Sequence, residues 1–190
     1  DEPFCSLDMH VKLKLRSELP NILRSFNASG LMVTHDPEEA MSICDKVAVM
    51  NEGKIHQIDT PINLLNNPKT MFVSSFILGN NIINLKNNGN SFVSCLGEIN
   101  SSGFSDNTYI KRMSISPKFI SIKRSESGNA KVISKEFLGE FLIYKVSINQ
   151  DILRIRTDIN NLLNNGDKCS LSIKKNSYYF LYPGAHKVYL

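Results

Sequence analysis

Two acidic residues at the start of the chain, Asp1 and Glu2, and a Thr34-His35-Asp36 segment further along are residue types that a nucleoside-triphosphate site requires. One carboxylate can hold Mg²⁺, a second can orient or deprotonate a water molecule, and an imidazole can reach the terminal phosphate. The phosphates themselves need a G-x-x-x-x-G-K-[ST] loop, which the 190 residues do not contain. The sequence therefore carries candidate catalytic residues without a phosphate loop.

The composition is that of an ordinary soluble globular protein, with 42% hydrophobic and 21% charged residues and a net charge of +4. The lysines are scattered, which argues against a nucleic-acid binder. The four cysteines are far apart and form no C-x-x-C pair, so neither a zinc site nor a disulfide framework is indicated. No apolar run approaches the roughly 18 residues of a membrane span, so a membrane role has to come through partners.

The elements that position the candidate residues follow from the apolar spacing. Residues 9–26 have helical spacing, with Pro20 expected to kink or split the helix near residue 18 or 19. The apolar segment 31–34 predicts a short strand in the middle of a parallel sheet. Asp36 as N-cap, Pro37 at the first helical position and two glutamates in the first turn predict a second helix.

Further along, 47–50 and 54–58 predict a hairpin around Asn51-Glu52-Gly53, and two more helices begin near Thr60 and Met71. Beyond residue 80 the pattern changes to short β segments, expected at 113–116, 119–123, 131–137, 141–148, 152–156, 168–173 and 178–181. The predicted organisation is an α/β segment over 1–79, a linker with the first accessory strands over 80–107, and a mostly β, OB-like small barrel over 108–190.

Several motifs follow one another in order: DEPFCSLD at 1–8, THDPEEA at 34–40, VAVMNEGKIHQ at 47–57 and DTP at 59–61. In this order they resemble the ATP-binding subunit of ABC transporters, and most closely the importers of ferric iron, polyamines, sulfate and sugars. The resemblance is dense over residues 1–80. The remainder resembles, by strand pattern alone, the TOBE-type accessory domain of this branch. The implied fold is the C-terminal half of a P-loop NTPase domain followed by this β domain.

The resemblance implies a role for each candidate residue. Asp1 would end the Walker B strand and coordinate Mg²⁺, and Glu2 would be the general base or water-orienting carboxylate. Ser6 and Asp8 would lie in the D-loop, which faces the partner subunit. His35 would be the switch histidine that senses the γ-phosphate of ATP.

The same resemblance implies partners and a location. A second ATP-binding subunit would complete a homodimer, an ABC permease would dock on it, and a periplasmic substrate-binding protein would act indirectly. Nucleic acid is not an expected partner. The subunit would lie peripherally on the cytoplasmic face of the membrane, and its solute is expected to be ferric iron first and polyamine second. Since the phosphate loop, glutamine loop, adenine-stacking aromatic and signature motif are missing, the 190-residue polypeptide is expected to be an inactive C-terminal fragment.

Two other functions fit the residues. The chain could be a non-catalytic regulatory module whose β domain senses a ligand and whose front segment is a remnant of an ATPase. An OB-type domain could instead bind single-stranded nucleic acid with a steep salt dependence. The aromatic residues that would form its stacking surface fit a buried core better, namely Tyr144, Tyr178, Tyr179 and Phe180.

Overall fold

The computed structural model describes residues 1–89, 91–100 and 110–190. Parts of the predicted linker and the first residues of the predicted β domain, at 90 and 101–109, lie outside the described residues. The chain forms two compact units, Asp1–Pro68 and Lys69–Leu190. The result is a mostly β chain with an α/β N-terminal part, as the sequence predicts. None of the helices in the described residues is long and apolar enough to cross a membrane.

Three helices lie in the first unit: α1 (Met9–Ser25), α2 (Pro37–Ile43) and α3 (Pro61–Asn66). The predicted split of α1 near residue 18 or 19 is wrong, because the helix runs from Met9 to Ser25 through Pro20. The alternative, a kink at Pro20, stays a prediction. Proline removes one backbone N–H and crowds the carbonyl four residues earlier. Nearby side chains bond to carbonyl groups of this turn: the Asn21 amide donates to the Ser17 carbonyl oxygen at 3.5 Å, and the Ser17 hydroxyl donates to that of Lys14 at 2.7 Å.

The strand predicted at 31–34 does not form among the described residues. The Leu31 side chain is 95% exposed and that of Val33 is 55% exposed, so the apolar run is not buried. A strand is defined by its hydrogen-bonded neighbour, and this segment has one such bond, from the Glu2 N–H to the Val33 carbonyl oxygen at 2.8 Å. That bond attaches the start of the chain to the segment before His35.

The predicted hairpin is confirmed as β1 (Val47–Asn51) and β2 (Lys54–Asp59), which pair antiparallel. Its turn residues Glu52 and Gly53 have φ of 48° and 72°, the left-handed values that a tight hairpin turn requires. Val47, Val49 and Leu64 are buried in this unit, where Leu64 comes from α3.

The second unit begins with α4 (Met71–Leu78), which the sequence analysis grouped with residues 1–79. The Ser74 hydroxyl of this helix lies 2.5 Å from the Ser114 hydroxyl, and the Asn80 amide donates to both. All three residues are buried, so this hydrogen-bonded group fixes α4 against the β structure that follows.

The strands of this unit form three antiparallel sheets. The strands are β3 (Asn81–Asn84), β4 (Lys86–Asn87), β5 (Ser91–Ser94), β6 (Gly97–Asn100), β7 (Arg112–Ile115), β8 (Ile120–Arg124), β9 (Ala130–Phe137), β10 (Phe141–Ile148), β11 (Asp151–Asp158), β12 (Lys168–Ile173), β13 (Tyr178–Tyr182) and β14 (His186–Tyr189). One sheet has the order β14-β13-β7-β3, a second β4-β5-β6, and the third β11-β10-β9-β12-β8. Among the described residues none of these sheets closes on itself, so the barrel of the prediction is open.

All seven predicted β segments are strands, whereas β14 was not predicted. The apolar faces of the three sheets share one core. Tyr144, Tyr179 and Phe180 are buried, which confirms that these rings serve the core. Tyr178 is partly exposed, and the Lys187 ammonium lies 4.1 Å from its ring centroid.

One side chain completes the edge of β11, the last strand of its sheet. The Asn81 amide nitrogen donates to the Arg154 carbonyl oxygen, and its amide oxygen accepts from the Arg154 N–H, both at 2.8 Å. The side chain thus provides the two hydrogen bonds that a neighbouring strand would provide.

Candidate functional site

The structure brings Glu2 and His35 into direct contact. The Glu2 oxygen Oε1 lies 2.6 Å from the His35 ring nitrogen Nδ1 and also accepts the His35 backbone N–H at 3.1 Å. Glu2 has a φ of 45°, unusual for a residue with a side chain, and its own N–H is bonded to Val33. The carboxylate and the imidazole are therefore fixed to each other through both side-chain and backbone atoms.

Glu2 and His35 each stabilise the charged form of the other. The side-chain hydrogen bond to Glu2, together with the negative charge of its carboxylate, raises the pKa of His35 above its ordinary value. The same hydrogen bond lowers the pKa of Glu2. The contact thus stabilises the protonated form of the imidazole and the ionised form of the carboxylate. A protonated imidazole donates through both ring nitrogens, so Nε2 becomes a donor for an anionic ligand.

The His35 side chain is more exposed than that of Glu2, so its ring is accessible to an anionic ligand. The side chain of His35 is 81% exposed, whereas that of Glu2 is 33% exposed. Both hydrogen bonds from His35 end on Oε1 of Glu2. The second carboxylate oxygen, Oε2, is the atom that remains to accept a proton from a water molecule.

The other sequence-predicted site residues are less constrained. Asp1 is exposed, and among the described residues no hydrogen bond or ion pair of its carboxylate is found. Ser6 is exposed, with its hydroxyl 3.5 Å from the Cys5 sulfur. Asp8 is the N-cap of α1, because its side chain accepts the Val11 N–H at 3.0 Å. The structure does not bring these three side chains to His35.

A buried carboxylate behind His35 was missed as a site residue in the sequence analysis. Glu39 in α2 is 3% exposed and accepts a hydrogen bond from the Thr34 hydroxyl at 2.7 Å. Its other oxygen lies 3.5 Å from both the Lys12 ammonium and the Arg16 guanidinium of α1. The sequence contained one indication, since residues 12 and 16 are spaced to share a helix face.

Arg16 extends this network to the residue after the histidine. Its Nη2 atom lies 3.3 Å from the Asp36 carboxylate, and the Asp36 N–H donates to the Thr34 hydroxyl at 3.1 Å. The Asp36 side chain in turn accepts the Glu38 N–H at 2.8 Å and caps α2. His35 is therefore flanked on both sides by residues that Glu39 and Arg16 hold in place.

The described residues contain no group of three or more His, Cys, Asp or Glu side chains arranged to hold a metal ion. Mg²⁺ in nucleotide sites uses one or two carboxylates, with water and phosphate oxygens as the other ligands. A single exposed carboxylate such as that of Asp1 therefore fits a magnesium ion that arrives with a nucleotide.

A separate open cavity of about 430 Å³ lies in the second unit. None of the predicted site residues lines it, and its walls are Ile120, Ser121, Ile122, Thr157, Asp158, Asn160, Asn161 and Lys174. The mixture of one carboxylate, one ammonium and several amides and hydroxyls makes it a polar cavity.

No protein-family profile matches the chain, whereas curated proteins do. The "Spermidine/putrescine import ATP-binding protein PotA" of Bacillus thuringiensis (strain Al Hakam) is 46% identical over 93 residues, covering 49% of this chain and 28% of the relative. Proteins of the same name from Mesoplasma florum and Mycoplasma capricolum are 36% identical over 150 and 145 residues, each covering 73% of this chain and 41% of the relative. The chain thus spans less than half the length of these relatives.

Proposed function

We propose, on the premise that this chain belongs to the ATP-binding subunits of ABC importers, that it is the part of such a subunit that carries the hydrolytic carboxylate and histidine. The observation that carries the proposal is the contact between Glu2 and His35, at 2.6 Å. Residues 1–79 would be the C-terminal part of the ATPase domain, and residues 108–190 a TOBE-like accessory domain.

In this function Glu2 and His35 have different tasks. Protonated His35 donates from Nε2 to a γ-phosphate oxygen, where negative charge develops during hydrolysis. Glu2 keeps Oε1 on the histidine and uses Oε2 to orient, and then deprotonate, the attacking water. Asp1 would hold Mg²⁺, which when bound neutralises phosphate charge. General bases of this kind contribute about 10²- to 10⁴-fold to a rate.

The partners follow from the same assignment. Ser6 and Asp8 would face a second ATP-binding subunit, an ABC permease would bind the subunit at the cytoplasmic side of the membrane, and an external binding protein would deliver the solute to the permease. For the solute we propose a polyamine, because the relatives described above are named for spermidine and putrescine. None of those names mentions ferric iron, the solute that the sequence analysis placed first.

Hydrolysis needs triphosphate and metal positioned against these carboxylates, and the 190 residues include no phosphate loop. We therefore expect the purified chain to show no ATPase activity. Activity is expected once a polypeptide that supplies a phosphate loop and a signature motif is added.

The test compares variants in that reconstituted assay. Glu2→Gln should reduce the hydrolysis rate by at least about 10²-fold, and His35→Ala should do the same. Glu52→Gln, which removes an exposed acid in the hairpin turn, is the matched control and should leave the rate unchanged. Equal loss in all three variants, or hydrolysis that survives both site changes, would refute the proposal.

A further inference from the structure

We propose that Glu39 is a positioning residue for His35, acting through the Thr34 hydroxyl and the Asp36 backbone, and that it links the orientation of the imidazole to helix α1. The inference rests on the proposed function of His35. Glu39 itself makes no contact with the imidazole, since its hydrogen bond goes to the Thr34 hydroxyl and its ion pairs go to Lys12 and Arg16.

The first step of the argument is the direction of the hydroxyl proton. An ionised carboxylate only accepts hydrogen bonds, so the Thr34 hydroxyl must point its hydrogen at Glu39. Its lone pairs are then directed to the Asp36 N–H, which lies 3.1 Å away. The buried carboxylate thereby sets the hydrogen bond that spans His35 from the residue before it to the residue after it.

The second step is the rigidity of the carboxylate. Glu39 is 3% exposed and has the Lys12 ammonium and the Arg16 guanidinium both at 3.5 Å from its second oxygen. Arg16 also reaches the Asp36 carboxylate at 3.3 Å. A buried charge with two cationic partners is held much more firmly than an exposed ion pair.

The third step is the connection to α1. Both cations lie on this helix, which begins directly after the N-cap Asp8. A shift of the segment 6–8 is transmitted along the helix to Lys12 and Arg16, and from them to Glu39. In the proposed function segment 6–8 faces the second subunit. A movement of that subunit would therefore change the orientation of the His35 ring through this network.

The test uses the isotope-labelled 190-residue chain and NMR at one fixed pH. Two signals are followed: the ring nitrogen chemical shifts of His35 and the hydrogen-exchange rate of the Asp36 amide. The variants are Glu39→Gln, Thr34→Val and Thr34→Ser. Glu38→Gln, on the same helix with its side chain exposed, is the control.

We expect Glu39→Gln and Thr34→Val to speed exchange of the Asp36 amide by about fivefold, the loss of one ordinary hydrogen bond. Thr34→Val, which leaves the charge of Glu39 in place, should also move the ring nitrogen shifts of His35. Thr34→Ser keeps the hydroxyl, so the exchange rate should stay within twofold of the parent chain and the His35 shifts should stay at their parent values. Glu38→Gln should change neither signal.

A network that only stabilises the fold would behave differently. In that case Glu39→Gln and Thr34→Val would lower the free energy of unfolding while the Asp36 exchange rate, and in Thr34→Val also the His35 shifts, stayed at their parent values, and the proposal would be wrong. If Glu39→Gln does not fold, the two Thr34 variants decide: valine replaces the hydroxyl by a methyl group, whereas serine keeps the hydroxyl and loses the methyl group. ATP hydrolysis is not part of this measurement, so failure of the proposed function would leave its result unchanged.

Discussion

Replacing Tyr144 by phenylalanine tests how the loop between β11 and β12 is held to the core of the second unit. The Tyr144 side chain is fully buried, and its hydroxyl donates to the Asn161 carbonyl oxygen at 2.5 Å and accepts the Leu163 N–H at 3.0 Å. The substitution removes one oxygen atom and leaves the ring in place. The change in the free energy of unfolding therefore measures the contribution of the two hydrogen bonds, with little contribution from a cavity.

The magnitude follows from what each lost bond leaves behind. The Leu163 N–H is buried and would lose its partner without access to water, whereas Asn161 is partly exposed and its carbonyl can be solvated. An unsatisfied buried group costs about 1–3 kcal/mol and a replaced bond about 1 kcal/mol or less. We expect Tyr144→Phe to reduce the free energy of unfolding by about 2–3 kcal/mol.

The assay is urea unfolding of the 190-residue chain, followed by far-UV circular dichroism because the sequence has no tryptophan. Tyr179→Phe is the matched control. Tyr179 is 1% exposed, burial raises its pKa to about 12, and among the described residues no hydrogen bond of its hydroxyl is found. Removing this hydroxyl leaves no hydrogen-bond partner unsatisfied, so Tyr179→Phe should cost less than about 0.5 kcal/mol. Equal costs for the two substitutions would refute the reasoning.

Three further predictions concern the first unit. The pKa of His35 is raised above 6.5 and that of Glu2 is lowered below 4.5, so their pair stabilises the fold fully between these values. That stability is lost as pH rises through the raised histidine pKa or falls through the lowered glutamate pKa. Glu2→Gln should lower the pKa of His35 in an NMR titration, and an unchanged pKa would contradict the observed contact. Leu64→Ala removes a fully buried side chain and should cost about 2–5 kcal/mol in urea unfolding, whereas the half-exposed Leu65→Ala should cost far less. Thr60→Ala removes the N-cap hydrogen bond from the Asn63 N–H to the Thr60 hydroxyl and should cost about 1 kcal/mol in urea unfolding, and an unchanged free energy of unfolding would contradict this role of Thr60.

The strands of the second unit could be predicted because alternation and turn residues are local properties of the sequence. Segments 141–148 and 168–173 were predicted with the bounds that β10 and β12 have. Strand β14 was missed because four residues after a Pro183-Gly184 turn give too short a pattern to separate a strand from a loose end. Its existence depends on pairing with β13, which is a property of the tertiary fold.

The segment 31–34 illustrates the opposite error. Its apolar residues indicate a preference for burial, but they do not specify a strand partner. In this structure Leu31 is exposed and the predicted strand is wrong. The predicted split at Pro20 failed for a related reason, since the cost of one proline is a local quantity that the rest of a well-capped helix can offset.

The candidate site was only partly accessible from the sequence. Glu2 and His35 were identified by residue type and order, and the structure places them in contact. Glu39 was missed because a glutamate in the first turn of a helix is already explained by the helix dipole, and the spacing of Lys12 and Arg16 does not specify which acid they pair with. Only the tertiary fold shows that α1 covers this carboxylate with two cations.

The amide of Asn81 has a consequence for how the molecule behaves in concentrated solution. By occupying the backbone groups of Arg154, it removes a place where another polypeptide could add itself to the sheet. A chain with alanine at this position would keep most of its core, yet it would expose those groups to its neighbours. We expect Asn81→Ala to form oligomers slowly on storage. Light scattering should detect these oligomers before the melting temperature changes.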